Sequence, residues 1–440
     1  RCIGDHEVRD VSANHRAGGD AIRDRQFRSK RPHAAAANDL DGNALGIPAG
    51  QHCNARGRDD ARGRDDPRPA SPTRTRCHAG VAALLTTLVI GTFAQAEQIR
   101  IAYFQTELAR DGPGLLLRDF IRGKDPQVEA VIDVIEKAAP DILVLGEIDF
   151  DAGLLAIGVL RDRLVERGLN LMHVYSTQPN SGAAISAAPL PGSPLKTQSF
   201  GRFRGAHGMA ILSTFPFASP PISLTNLIWA DLPWTNPPLA SSQRVTQNLS
   251  SHNHWLAPIA LPDGRTVSLL TLHASTPVFD GPEDLNGHRN ADEIKLWAEI
   301  LDGWRPPGMT LSDITNPIVI GTFNADPMDG ESRAGSADAL RRHPDLQDPK
   351  PSSTGASEQA RSDRGVNSRH RSDPALDTVD WPDDRADSPG NLRVDYILPS
   401  RDLDVVSSGV LWPDNDQPEL LETVRQASRH RLVWVDLSLP

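Results

Sequence analysis

The chain has 440 residues, with 46 Lys+Arg against 57 Asp+Glu, a formal net charge of −11 and three cysteines. An acidic balance argues against the broad basic face that coats nucleic acid non-specifically, and so few cysteines exclude a disulfide framework as the source of stability. The length suffices for one large hydrophobic core.

Residues 1–73 are rich in Arg, Asp, Ala and Gly, and 56–66 form a near repeat. Such a stretch buries too little apolar surface to offset its ordering entropy. It is expected to be disordered, or to be upstream sequence that is not native protein. Residues 74–96 read as a secretory signal. Arg74 and Arg76 open it, an apolar run follows from Ala79 to Phe93, and Ala94-Gln95-Ala96 is a small-x-small cleavage site. Cleavage after Ala96 would make the mature protein secreted or periplasmic. The run falls short of the roughly 20 apolar residues that span a bilayer, so no stable membrane insertion of the mature chain is expected. Cys2, Cys53 and Cys77 all precede the cleavage site. So do 15 Lys+Arg and 11 Asp+Glu, which leaves 31 and 46 in residues 97–440, a balance of −15.

Beyond 97, apolar runs alternate with helical patterns. Ile99 to Phe104 reads as a strand. Asp125-Pro126 reads as a helix start, an N-cap followed by proline at N1, with Val128, Val131, Ile132 and Ile135 on one face. Residues 141–147 form a buried strand that closes on Glu147, completing a β-α-β unit. A second helix is expected from Asp151, with Leu155, Val159, Leu160 and Leu164 on one stripe. Loops rich in Pro occupy 176–200 and 216–250 around a strand at 208–213. Strands at 255–261 and 266–272 flank the turn Pro262-Asp263-Gly264. Helices are expected at 291–303 and 332–343, and strands at 317–321, 392–398 and 432–437. The polar segment 349–391 is expected to be a long insertion loop. This order implies an α/β fold of two mixed sheets packed face to face, with helices outside.

Polar groups recur where these apolar runs end: Gln105, Glu147, His273, Asn324, Asp395 and His430. Strand ends are where α/β folds place chemistry, although one such residue alone reads equally well as a solvated loop residue. Arg202 and Arg204 precede the 208–213 strand and are candidates for phosphate contacts, the alternative being two solvated loop arginines. Asp326 to Glu331 lacks the spacing of a calcium loop and reads as a turn before a capped helix. The acidic residues between Asp373 and Asp387 read as a solvated loop, with a surface Ca²⁺ site as the alternative. His252 and His254 lack further ligands for zinc.

The blocks IRIAYFQTE (99–107), ILVLGEID (142–149), GMAILS (208–213), LLTLHA (269–274), GTFNADP (321–327), RVDYILPS (393–400) and SRHRLVWVDL (428–437) resemble, in this order, the endonuclease/exonuclease/phosphatase superfamily. The resemblance covers residues 99–438. It implies a four-layer α/β/β/α sandwich and hydrolysis of a phosphodiester or phosphomonoester with a divalent ion, Mg²⁺ or else Mn²⁺ or Ca²⁺. It assigns the ion to Glu147 and Gln105, the scissile phosphate to His430 oriented by Asp395, and phosphate contacts to Asn324 and His273. A phosphate-ester substrate, no obligate protein partner and a monomer are expected.

Three positions depart from the pattern. Gln105 replaces an asparagine. Thr322 replaces the aspartate of Gly-Asp-x-Asn, which is assigned as the water-activating base. Arg429 replaces an acidic residue of the Ser-Asp-His block. Two negative charges are lost and one positive charge is gained, which weakens a divalent-ion site. The alternative function is therefore the same fold with an impaired site, binding a phosphorylated ligand or a protein. Arg429 paired to Glu147 would favour that alternative.

Overall fold

The chain's structure, a computed structural model, describes residues 98–185 and 196–439. All belong to the compact unit Val89–Pro440. The expected disordered segment and signal peptide lie outside the described residues.

Strand β1 (Gln98–Gln105) runs parallel to β2 (Ile142–Ile148), and helices α1 (Leu115–Arg122) and α2 (Pro126–Ala138) make the crossover. Asp125 caps α2 as the sequence implies, accepting from the Gln127 and Val128 amides at 3.1 and 3.0 Å. Helix α3 (Leu155–Glu166) follows, then β3 (His173–Tyr175), β4 (Gly208–Ser213) and β5 (Ile222–Ser223). The hairpin is β6 (His254–Ala260) and β7 (Thr266–His273). Helix α4 (Leu285–Leu301) leads to β8 (Pro317–Thr322), and α5 (Thr354–Asp363) precedes β9 (Val379–Asp380). The chain closes with β10 (Asn391–Leu392), β11 (Asp395–Pro399), β12 (Val405–Val410), α6 (Pro418–Ala427) and β13 (Val433–Ser438).

One sheet has the order β12-β13-β1-β2-β4-β3, the other β11-β8-β7-β6-β5. Their inner faces share one core: Ile101, Tyr103, Val144 and Ile211 meet Trp255, Leu269, Ile320 and Ile397. The alternate residues Phe104, Leu143 and Leu145 pack outward under α2 and α3. On the far side Leu270, Leu272 and Val319 pack under α4. Four layers, α/β/β/α, result. A strand covered on both faces must be apolar at every position, which is why 142–145 reads as an unbroken run. No helix among the described residues is long and apolar enough to cross a membrane.

Some expectations need correction. Segment 349–391 is not a featureless loop. It carries α5, whose start is capped by Ser353 accepting from the Ala356 amide at 3.0 Å. The expected strand 392–398 is split: β10 pairs with β9, and only 395–399 pairs with β8. The 332–343 helix shrinks to one turn, Asp338–Arg341, and α4 starts six residues earlier than expected. Helix α1 follows Gly114, which is left-handed and offers no side-chain cap, so the usual start signal is missing. Asp326 is a turn former, its Oδ1 accepting from the Met328 and Asp329 amides.

Candidate functional site

The parallel strands β1 and β2 end at the same edge as the parallel pair β7 and β8. Antiparallel β4, β6, β11 and β13 begin there. Gln105, Glu147, His273, Asn324, Asp395 and His430 are thereby brought to one rim. The rim also gathers Glu107, His207 and His252. Glu107, Glu147, His207 and Asn324 all have left-handed backbones, with φ of 52°, 50°, 56° and 50°. Each such non-glycine residue costs about 1–2 kcal/mol, and strain of this kind concentrates at functional sites.

His430 Nδ1 lies 2.7 Å from Asp395 Oδ2, and both side chains are buried. Burial disfavours the His430 imidazolium, but the charge and hydrogen bond of Asp395 outweigh it and raise the His430 pKa above its ordinary value. Asp395 Oδ1 accepts from the Thr322 hydroxyl. The segment around β9 supports this pair. Thr378 Oγ1 accepts from the Asp395 amide at 3.1 Å, Val379 bridges His430, and the Trp381 ring stands edge-on to the His430 ring. With Nδ1 committed, Nε2 is the His430 nitrogen left for a ligand.

Glu147 sits 3.4 Å from His207 Nδ1. Burial alone would raise its pKa; the His207 hydrogen bond and the charges of His207, His273 and His252 hold it well below the usual carboxylate range. Of those three, His207 is the one shifted toward its charged form. Burial lowers His273 to about 4 and His252 well below its ordinary value, whereas Glu147 overcomes burial to raise His207. His273 and His252 stack with ring centroids 3.7 Å apart, an arrangement that disfavours charge on both.

Arg429 does not pair with Glu147. Its guanidinium grips Glu107, with Nε 2.8 Å from Oε1, while its own amide donates to Oε2 at 2.8 Å. Glu107 is partly buried, which favours its neutral form, yet Arg429 holds its pKa below the ordinary value. Asn324 Nδ2 donates to the Ala274 carbonyl at 2.9 Å. Arg202 lies 3.3 Å from Asp111 in an exposed pair, and Arg204 is exposed beside it.

A divalent ion can be tested against this donor set. Glu147 offers an ionised, partly exposed carboxylate. Gln105 is buried, and its amide contacts Tyr103 at 2.9 Å and His273 Nε2 at 3.1 Å, so its polar atoms are spent inside the protein. Among the described residues no three His, Cys, Asp or Glu side chains converge as a cage. A hard ion such as Mg²⁺ needs only one or two carboxylates when water and substrate phosphate complete its shell. Glu147 fits that requirement.

Glu107 and His207 escaped the sequence reading, and His252 was weighed there only as a zinc ligand. His207 directly precedes a strand and obeys the strand-end rule that singled out the others. Glu107 belongs to the first quoted block but carried no signal of its partner, 322 positions away.

The chain is thus a four-layer α/β sandwich with a histidine–aspartate pair and a glutamate at one rim. Residues 119–430 match the model of the Endonuclease/Exonuclease/phosphatase family, and the chain belongs to that family, whose members include nucleases and phosphatases. Similar solved structures include the endonuclease/exonuclease/phosphatase from Beutenbergia cavernae DSM 12333, at 18% identity over 78% of this chain and 72% of that one, TM-score 0.46. The family protein from Leptotrichia buccalis C-1013-b is 13% identical over 77% and 99%, TM-score 0.43. D. rerio TDP2, complexed with single strand DNA product, is 10% identical over 78% and 99%, TM-score 0.40. No curated protein sequence matches the chain.

Proposed function

We propose that the protein is a monomeric phosphoesterase that hydrolyses a phosphodiester or phosphomonoester with a divalent ion held by Glu147. The observation that carries the reading is one rim on which His430 is 2.7 Å from buried Asp395, Glu147 is held ionised by His207 and its neighbouring histidines, and Arg429 is drawn to Glu107 rather than to Glu147. Protonated through Asp395, His430 donates from Nε2 to a nonbridging or leaving oxygen of the phosphate, where charge grows in the transition state. Asp395 fixes the imidazole's tautomer and supports its charge. Asn324 holds a second phosphate oxygen. The ion, when bound, neutralises phosphate charge. His273 has its Nε2 engaged by Gln105 and serves as a neutral wall of the pocket. A threonine hydroxyl is no base at neutral pH, so Thr322 does not activate water.

The test is hydrolysis of bis(p-nitrophenyl) phosphate by the purified protein with and without EDTA. Activity abolished by EDTA and restored by Mg²⁺ or Mn²⁺ is expected. Turnover that survives EDTA would remove the ion from the reading. No turnover with any divalent ion, together with tight binding of a phosphorylated ligand, would leave a binding module.

Export is part of the proposal and rests on the leader-like segment 74–96 alone. Protein recovered from its host should begin at Glu97; an N-terminus upstream of 74 would refute export by that signal.

A further inference from the structure

The groups behind His430 form one buried line that crosses from the first sheet to the second. Gln105 contacts the Tyr103 hydroxyl at 2.9 Å, Tyr103 contacts the Thr322 hydroxyl at 2.9 Å, Thr322 contacts Asp395 Oδ1, and Asp395 Oδ2 contacts His430 at 2.7 Å. None of the five is more than 4% exposed. Gly146 makes the line possible. It pairs with Gln105 across the sheet, and a Cβ there would sit 1.8 Å from Gln105 Oε1 and 2.3 Å from the Tyr103 oxygen.

Counting protons orients the line. With the Gln105 amide oxygen toward Tyr103, the Tyr103 proton goes to Gln105 and the Thr322 proton goes to Asp395. The 2.9 Å contact between the two hydroxyls then has no proton, and two buried lone pairs face each other. Each hydroxyl owns one proton, and an amide's orientation is fixed by its network. Turned over, the Gln105 amide donates to Tyr103, Tyr103 to Thr322, and Thr322 to Asp395. The Gln105 oxygen then accepts from His273 Nε2. Every proton serves one bond, and every bond between Gln105 and Asp395 points toward the carboxylate, so each polarises the next.

We propose that Thr322 and Tyr103 are positioning residues for the Asp395–His430 pair. Thr322 occupies one carboxylate oxygen, so the other must face His430, and Tyr103 holds the Thr322 hydroxyl in that direction. The position that the resemblance gives to a base is here a neutral hydrogen-bond relay. This rests on His430 being the phosphate-side histidine. The plain alternative is that Thr322 and Tyr103 merely fill the core between the sheets, in which case isosteres without the hydroxyls would serve equally well.

The experiment compares Thr322→Val, Thr322→Ser, Tyr103→Phe and Thr322→Asp in the full chain. Two readouts are used: kinetics on bis(p-nitrophenyl) phosphate, and the titration of His430 by ¹⁵N-histidine NMR, which needs no turnover. Thr322→Val is expected to lower kcat by about 10–100-fold, the usual cost of an outer-shell partner, with KM unchanged. The His430 titration should move to higher pH, because Asp395 loses a competing donor. Thr322→Ser should restore both readouts to near wild type, and Tyr103→Phe should shift both in the same direction as Thr322→Val. Wild-type kcat and wild-type His430 titration in folded Thr322→Val would overturn the proposal. So would a rate gain in Thr322→Asp, which would make the position a missing base. If the wild-type protein turns nothing over, the proposed function fails, and the His430 titration still decides whether the relay exists.

Discussion

Replacing His430 with alanine is expected to reduce phosphate-ester hydrolysis by about 10²–10⁴-fold, the range for loss of an acid–base group, with the fold intact. His430 sits before β13 rather than inside it, and its ring packs edge-on against Trp381 instead of filling either main core. Asp395→Asn should approach the same loss for another reason: its amide can present N–H to His430 and force the wrong tautomer. The pH dependence has a defined sign. Asp395 raises the folded pKa of His430, so the stabilisation from this pair is fully present below the unfolded value of about 6.5 and is lost as pH rises through the folded pKa. Activity that needs the imidazolium falls over the same upper window. A rate plateau that persists to high pH, or His430→Ala turning over within a few-fold of wild type, would remove His430 from the chemistry.

How much of this was legible in the sequence depended on how local the signal was. Strands buried on both faces announce themselves as apolar runs, and β1, β2, β4, β8 and β13 were all found, with the residues that close them. Helix α1 lacked a cap signal, and edge strand β12 reads Val-Val-Ser-Ser-Gly-Val, partly buried and broken by a bulge. Tyr103 lies inside the strand run 99–104, and its ring is core; its hydroxyl gains meaning only where the fold brings Thr322 up from the other sheet. Arg429 is the sharpest case. Charge counting set it against Glu147, but Glu107 wins it, because the Arg429 amide and the Ser428 hydroxyl donate to the same carboxylate. Sequence shows how many charges a site holds. Pairing decides which of them remain free.

Glu147→Gln is expected to abolish the response to divalent ions. The exchange keeps the shape and a contact for His207 and removes only the charge. Glu147 is the partly exposed rim carboxylate without an arginine partner: its contact is the longer one, 3.4 Å, to His207, whereas Glu107 is paired with Arg429 and Asp395 is committed to Thr322 and His430. Ligand charge sets the affinity of a hard ion. Loss of an outer-shell partner costs about 10–100-fold in metal affinity, and losing the ionised ligand itself should cost more. Mn²⁺ binding followed by electron paramagnetic resonance reads this without turnover. Wild-type protein should show bound Mn²⁺, Glu147→Gln should show none at the same concentration, and Glu107→Gln should retain it. If Glu107→Gln loses the ion and Glu147→Gln keeps it, the metal belongs beside Arg429, and the charge reckoning at this rim is reversed. Arg429→Ala adds a further constraint. Freed from its partner, Glu107 presents a second carboxylate at the rim with no guanidinium to offset its charge, so Mn²⁺ should bind more tightly while the support that Arg429 gives the Ser428–His430 turn is lost.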